Sequence, residues 1–260
     1  MLEEVSNEPV LGYRAGSVER EELKDAIADT REQAPWNVPL VIGGKRETSD
    51  RTFELVVPHD HRFELGKGHL AGEHEVERAV RAAEDARKEW SQTSLAERVA
   101  IFLKAADLLA GPWRQRLNAA TIVGQSKNPY EAEIDAAAEL IDFLRFNALF
   151  ASRIYEEQPL STASMSNHTD YRPLEGFVLA ITPFNFTSIG GNLPLAPILM
   201  GNVALWKPSP KAALSNYLLV ELMEEAGLPP GVLNFLPGEG ADVAGPALRH
   251  RLLAGLHFTG

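Results

Sequence analysis

The spacing of apolar positions changes along the chain. Between residues 73 and 150 they recur every three or four places. Val76, Ala79, Val80, Ala83 and Trp90 form one stripe; Leu95, Val99, Phe102, Leu103, Ala106 and Leu109 form the next. A period near 3.6 predicts amphipathic helices. Ser94 and Glu97 predict a capping box at the start of the second helix, each side chain satisfying a free backbone N–H. Gly111-Pro112 predicts its end, with Pro112 in the first turn of the next helix. A longer helix is predicted from about Tyr130 to Ala151, with Ile134, Ala137, Ala138, Ile141, Leu144 and Ala148 facing inward. Asp135, Glu139 and Asp142 fall toward another face, which reads as solvated.

Beyond residue 176 the pattern becomes short, continuous apolar runs near 177–181, 203–206, 232–236 and 256–258. Helical stretches near 188–200, 211–226 and 241–249 separate them. This βαβαβαβ order predicts a parallel sheet with covering helices. Runs with no polar alternation suit strands buried on both faces. Pro194 and Pro197 count against a regular first helix, since each costs roughly 3 kcal/mol in a helix interior. That helix is expected to start late or bend. Gly227 to Gly231 is a helix stop. The last strand is expected to leave an unpaired edge.

The first 72 residues are mixed. A short helix is predicted over Val18–Thr30, and Pro35 to Pro39 reads as a breaker cluster. Leu40-Val41-Ile42 before Gly43-Gly44 reads as a strand entering a tight turn. Phe53 to Val57 reads as a second strand, pairing back on the first as a hairpin. Residues 156–172, EEQPLSTASMSNHTDYR, are poor in apolar positions and fit either a linker or extended strands.

At 260 residues the chain is long enough for one large domain or two. A net charge of −11 argues against nucleic acid or an anionic membrane as partner. No apolar run approaches the length of a membrane span. The acidic start, MLEEVSNEPV, has neither a signal-peptide core nor an Arg-rich transit pattern, so a cytoplasmic location is expected. There is no cysteine, which excludes disulfides and thiolate metal sites within these residues. His59 and His61 lack a third ligand, and a solvated loop accounts for them.

The candidate chemistry gathers after the first two long strands. Thr182, Asn185, Lys207 and Ser209 lie at their carboxyl ends, where open α/β sheets bind ligands. Asn185 offers an uncharged NH2 donor, or it is an ordinary turn residue. Lys207 is a ligand-facing ammonium or a solvated lysine. The glycine-rich segment 237–245 contains GxG at 238–240 but not the GxGxxG dinucleotide pattern.

TPFNF at 182–186, followed by LWKPS at 205–209, resembles the aldehyde dehydrogenase superfamily. NEPVLGYRAGS, ARKEW, IFLKAADLLAGP, AEIDAAAELIDFLRFNA and EEAGLPPGVLNFLPG extend the similarity from about Asn7 to the last residue. They resemble the branch of that family acting on L-glutamate gamma-semialdehyde. The resemblance implies an α/β fold of the aldehyde dehydrogenase type. An arm and helical region would occupy 1–155, an oligomerisation flap 156–172 anchored by Leu160, Met165 and Tyr171, and the first part of a Rossmann-like sheet 173–260. It implies NAD-dependent oxidation of the semialdehyde to L-glutamate in proline degradation, by a homodimer or higher homo-oligomer.

It also assigns roles. Asn185 would donate to the aldehyde oxygen as negative charge develops. Lys207 and Ser209 would hold the adenosine half of NAD, with Thr182 presenting its backbone on the nicotinamide side. Gly240 would lie by the adenine, and Gly260 would open a pyrophosphate-binding turn. Glu139 would accept a charge-assisted hydrogen bond from the substrate's ammonium group, and Phe186 would face the substrate or belong to the core. In the family a general-base glutamate and a nucleophilic cysteine follow text like HFTG, so the resemblance implies the N-terminal part of a longer enzyme. Two alternatives stand beside it: a dehydrogenase for another semialdehyde, and a non-catalytic nucleotide-binding or dimerising module.

Overall fold

The computed structural model describes residues 5–260. The chain begins with α1 (Val18–Glu32) and the short strands β1 (Trp36–Val38), β2 (Leu40–Ile42), β3 (Lys45–Glu47), β4 (Thr52–Val56) and β5 (Glu64–His69). The helical region follows: α2 (Glu73–Trp90), α3 (Leu95–Ala110), α4 (Arg114–Gln125) and α5 (Pro129–Ala132). A π-helical turn, Glu133–Ala138, joins α5 to α6 (Glu139–Glu156). The last third alternates β6 (Phe177–Ile181), α7 (Thr187–Leu199), β7 (Val203–Lys207), α8 (Ala213–Ala226), β8 (Leu233–Phe235), α9 (Gly240–Arg249) and β9 (Leu253–Phe258).

β8, β7, β6 and β9 are mutually parallel and lie side by side in a sheet of order β3-β2-β8-β7-β6-β9. β6 to β7 to β8 steps one way across the sheet, whereas β9 returns to the far side of β6. Right-handed crossovers therefore put α7 and α8 on one face and α9 on the other. α2 packs beside α9, while α3 and α6 pack on α7 and α8. Phe177, Leu179, Val203, Leu205 and Phe235 are fully buried between these layers. β9 forms a sheet edge, with Leu256 and Phe258 about half exposed.

The strand positions and helix stripes read from spacing correspond closely to these elements, and the Ser94–Glu97 capping box forms. The N-terminal strands differ. β2 turns through Gly43-Gly44, both at positive φ, and pairs with the charged β3 rather than with residues 53–57. Two consecutive positive φ values suit a two-residue hairpin turn. β4 pairs instead with β5, in a separate three-stranded sheet that also holds β1. β1 lies inside the supposed breaker cluster. It is an edge strand, and Pro35 and Pro39 fall outside its paired residues, where their missing N–H is not needed. β2 also pairs antiparallel with β8, so the N-terminal hairpin is part of the large sheet.

Pro112 precedes its helix rather than lying in the first turn, because α4 starts at Arg114 with Trp113 at its N-cap. α7 neither starts late nor breaks at its prolines. Pro197 cannot donate to the Leu193 carbonyl four residues back, but His257 on β9 does so instead, through Nδ1 at 2.8 Å. Residues 156–172 form one isolated bridge, Thr162 with Met165, rather than paired strands. Leu160 and Met165 stand in solvent, while Tyr171 packs against Tyr155 at 5.0 Å between ring centres.

The acidic face expected on the 130–151 helix is the largest departure. Asp135 is buried and paired with Lys127 at 2.5 Å. Glu133 is fully buried and accepts from Arg114, from the Tyr13 hydroxyl (2.6 Å), from Asn118 (2.9 Å) and from the Leu11 amide (2.9 Å). Burial alone would raise this carboxyl's pKa, but Arg114, Tyr13 and Leu11 together hold it below the usual range. The same cluster takes in Glu8, which bonds both Arg114 and Arg145. It clasps the N-terminal arm to the helices.

Candidate functional site

The carboxyl ends of β6, β7, β8 and β9 share one edge of the sheet. Register places Ile181 beside both Lys207 and Phe258. The chain order reverses between β6 and β9, so a crevice opens outside their ends. Thr182-Pro183 leaves β6 on one side of it and Thr259-Gly260 leaves β9 on the other. Backbone contacts fix both exits: Thr182 N–H donates to the Lys207 carbonyl and Thr259 N–H to the Ile181 carbonyl, each at 3.2 Å. The buried Thr182 hydroxyl accepts from Trp206 Nε1 at 2.9 Å, so this side chain anchors the turn. Gly260, at φ +142°, lies beside Pro183, where an added Cβ would sit 3.8 Å from it.

Lys207 ends β7 half-buried. Burial pushes its pKa below the usual lysine range, and Glu239 pulls the other way. Among the described residues its ammonium forms no ion pair. Glu239 sits at the N-cap position of α9 with no capping bond from its side chain, and Gly240 begins that helix with its open side toward solvent: a Cβ there would meet nothing within 4 Å. Ser209 follows at the start of a 3₁₀ turn, its carbonyl accepting from Ala212 N–H at 3.0 Å.

Asn185 and Phe186 lie on the loop from β6 to α7. Asn185 is exposed and lines a cleft of about 820 Å³ shared with Phe184, Lys127, Gln125 and Phe53. Its amide bonds to none of the described residues, so it is not an Asx turn. The next turn is held firmly. Thr187 Oγ1 meets Thr121 Oγ1 (3.0 Å), Gln125 Nε2 (2.8 Å) and Ser215 Oγ (3.0 Å), all from packed helices. Phe186 is half-buried under the Lys127 ammonium, 4.9 Å from its ring centre. Glu139 opens α6 behind this loop and accepts a hydrogen bond from Ser188 of α7.

The structure thus brings Thr182, Lys207 and Gly260 to one crevice, with Gly240 at its α9 side. Asn185 and Phe186 lie on the loop between that crevice and Glu139. The cleft at Asn185 includes neither Lys207 nor Glu139. Sequence reasoning overlooked Ser188, Glu239 and the Thr187 cluster. Only Glu239 carried a signal, as the acid within the glycine-rich loop. Among the described residues no group of three His, Cys, Asp or Glu side chains could hold a metal ion, and the His59 ring meets the Ser126 hydroxyl at 2.7 Å. No described helix is long and apolar enough to cross a membrane.

The profile of the aldehyde dehydrogenase family matches residues 45–260. A delta-1-pyrroline-5-carboxylate dehydrogenase of Agaricus bisporus is 48% identical over 257 residues, covering 98% of this chain and 47% of that protein. The mitochondrial enzyme of that name from Mus musculus is also 48% identical, over 98% of this chain and 45% of its own length. Among solved structures, the delta-pyrroline-5-carboxylate dehydrogenase from Mycobacterium tuberculosis bound with NAD superposes with a TM-score of 0.97 at 50% identity. That match covers all of this chain and 48% of the other. The chain spans about half the length of the curated relatives it matches. With 216 consecutive residues inside the profile and the sheet order described above, the chain belongs to the aldehyde dehydrogenase family.

Proposed function

We propose that this chain supplies the cofactor side and the oxyanion donor of an NAD-dependent dehydrogenase that oxidises L-glutamate gamma-semialdehyde to L-glutamate. The observation that carries the reading is the unpaired, exposed Asn185 amide at the mouth of a rigidly held helix, next to a switch-point crevice. High identity to delta-1-pyrroline-5-carboxylate dehydrogenases over nearly the whole chain supports the substrate.

The crevice fits NAD. Lys207 presents an ammonium at a strand end with no ion pair among the described residues, and a Cβ on Gly240 would meet open space. Lys207 and Ser209 would hold the adenosine ribose, the Thr182 backbone would border the nicotinamide side, and Gly260 would begin the turn for the pyrophosphate. When bound, NAD would supply the hydride acceptor for the oxidation. Asn185 donates to the aldehyde oxygen as negative charge grows there; a preorganised neutral donor needs no rearrangement at that moment. Glu139 accepts from the substrate's ammonium, and Phe186 faces the substrate. The chain contains no cysteine, so the thiol nucleophile used in this family comes from outside these residues. Segment 156–172, with Leu160 91% exposed and Met165 60% exposed, is the contact to a second copy.

The test is turnover by the protein that carries this chain, with NAD, on glutamate semialdehyde and on succinate semialdehyde. A strong preference in kcat/KM for the amino acid aldehyde is expected. Equal values would overturn the substrate, and absence of NADH formation would overturn the reaction.

A further inference from the structure

Ser188 is fully buried in the first turn of α7, and its hydroxyl donates to Glu139 Oε2. Glu139 is half-buried, and among the described residues Ser188 is the only hydrogen-bond partner of its carboxylate, so Oε1 is left without one. The backbone delivers this contact through the π turn. Glu139 N–H bonds to the carbonyl of Ile134, five residues back. One inserted residue rotates everything after it by about 100° relative to a regular helix. That rotation carries Glu139 round to α7.

The crossing of α6 and α7 is tight and pinned at a second point. Asn147, two turns beyond Glu139, donates to Asn192 Oδ1 at 2.8 Å, and Asn192 lies one turn beyond Ser188. Between the two contacts a Cβ on Gly191 would come within 3.2 Å of Leu140 Cδ1. Neither helix can slide without breaking both hydrogen bonds. The carboxylate is therefore held by one oxygen on a rigid frame.

We propose that Ser188 is a positioning residue for substrate specificity: by holding Oε2 of Glu139 it aims Oε1 at the ammonium of an α-amino acid aldehyde. This rests on the reading above that Glu139 meets the substrate. Without the hydroxyl, the carboxylate would sample other rotamers and lose directional preference for the ammonium. The gain is one hydrogen bond's worth of discrimination, about three- to tenfold.

The experiment uses the protein that carries this chain, as Ser188→Ala, Ser188→Thr and Glu139→Gln. Two substrates are compared: glutamate semialdehyde and glutarate semialdehyde, which lacks only the amino group. Ser188→Ala should raise KM for glutamate semialdehyde about three- to tenfold, leaving kcat, KM for NAD and kcat/KM for the des-amino aldehyde unchanged. Ser188→Thr, which keeps the hydroxyl, should restore most of the loss. Should the alanine variant fold poorly, Ser188→Cys keeps the volume with a weaker donor and should show the same selective loss. A fall for both aldehydes together would mark Ser188 as merely structural and overturn the proposal. If Glu139→Gln abolishes the preference for the amino group and Ser188→Ala does not touch it, the Ser188 inference alone fails. If Glu139→Gln leaves the preference intact, the role of Glu139 itself fails.

Discussion

Two polar clusters in this molecule are built on opposite principles. Around Glu133, each charge brought out of water meets a partner: Arg114 bonds Glu133, Glu8 and the Pro9 carbonyl, and Arg145 bonds Glu8. At the carboxyl edge of the sheet, Lys207 is half-buried and, among the described residues, neither its ammonium has an ion pair nor the Asn185 amide a hydrogen-bond partner. Burying a charge is costly unless hydrogen bonds compensate it. The first cluster is compensated and fastens the arm. The second is left incomplete at the strand ends, and a ligand is what would complete it.

Removing a member from each cluster should therefore have opposite signatures. Glu133→Ala leaves Arg114 short of its main partner and the Leu11 amide without an acceptor, while the Tyr13 hydroxyl keeps only Gln115. Breaking such a buried pair costs about 3–5 kcal/mol. Chemical denaturation should show that loss, with NAD affinity unchanged in the fraction still folded. Asn185→Ala should do the reverse: turnover of the protein carrying this chain falls about a hundred- to thousand-fold, while the melting temperature and NAD dissociation constant stay put. Equal losses of turnover and cofactor affinity would make Asn185 part of the cofactor frame and erase the contrast. Lys207→Met comes next. It should weaken NAD binding about tenfold or more, the usual worth of a hydrogen bond to a charged group, while the ligand-free protein becomes no less stable.

The same contrast explains what spacing could and could not reveal. Polar groups at strand ends are visible in sequence, because buried strands are continuous apolar runs and whatever polar residue ends them stands out. Thr182, Asn185 and Lys207 were found that way, and the neighbouring Ser209 with them. The clasp was invisible because its residues look like surface. Glu133 and Asp135 follow an acidic, helical rhythm, and only a π turn rotates them inward while Ile134 turns partly outward. Periodicity analysis assumes a constant angle per residue, so one inserted residue misassigns every face on one side of it. β3 was missed for a similar reason: Lys45-Arg46-Glu47 has no apolar signal, and its place is decided by the Gly43-Gly44 turn and by β8 beyond β2. α7 kept its prolines because a histidine more than fifty residues further along the chain supplies the missing donor, a partner no local window contains.

pH separates the two clusters most finely. Glu133 has a folded-state pKa below its unfolded value, so the unfolded chain binds more protons in acid. Its contribution is complete above the unfolded carboxylate pKa of about 4.3 and is lost as pH falls through the lower, folded value. Lys207 also has a lowered folded-state pKa, but for a cation that means its charge is a standing cost at neutral pH. Between the folded value and the unfolded one near 10.4, the unfolded chain again binds more protons. Stability of the ligand-free protein should therefore rise with pH across that alkaline window, and NAD affinity should fall as the ammonium loses its proton. Stability measured by denaturation against pH, with and without NAD, should show an acid limb removed by Glu133→Gln and a small alkaline limb removed by Lys207→Met. The NAD-dependent increment should shrink only in the alkaline limb. An increment that shrinks in acid along with the clasp would mean that the arm and the crevice are one cooperative site, not two clusters with separate roles.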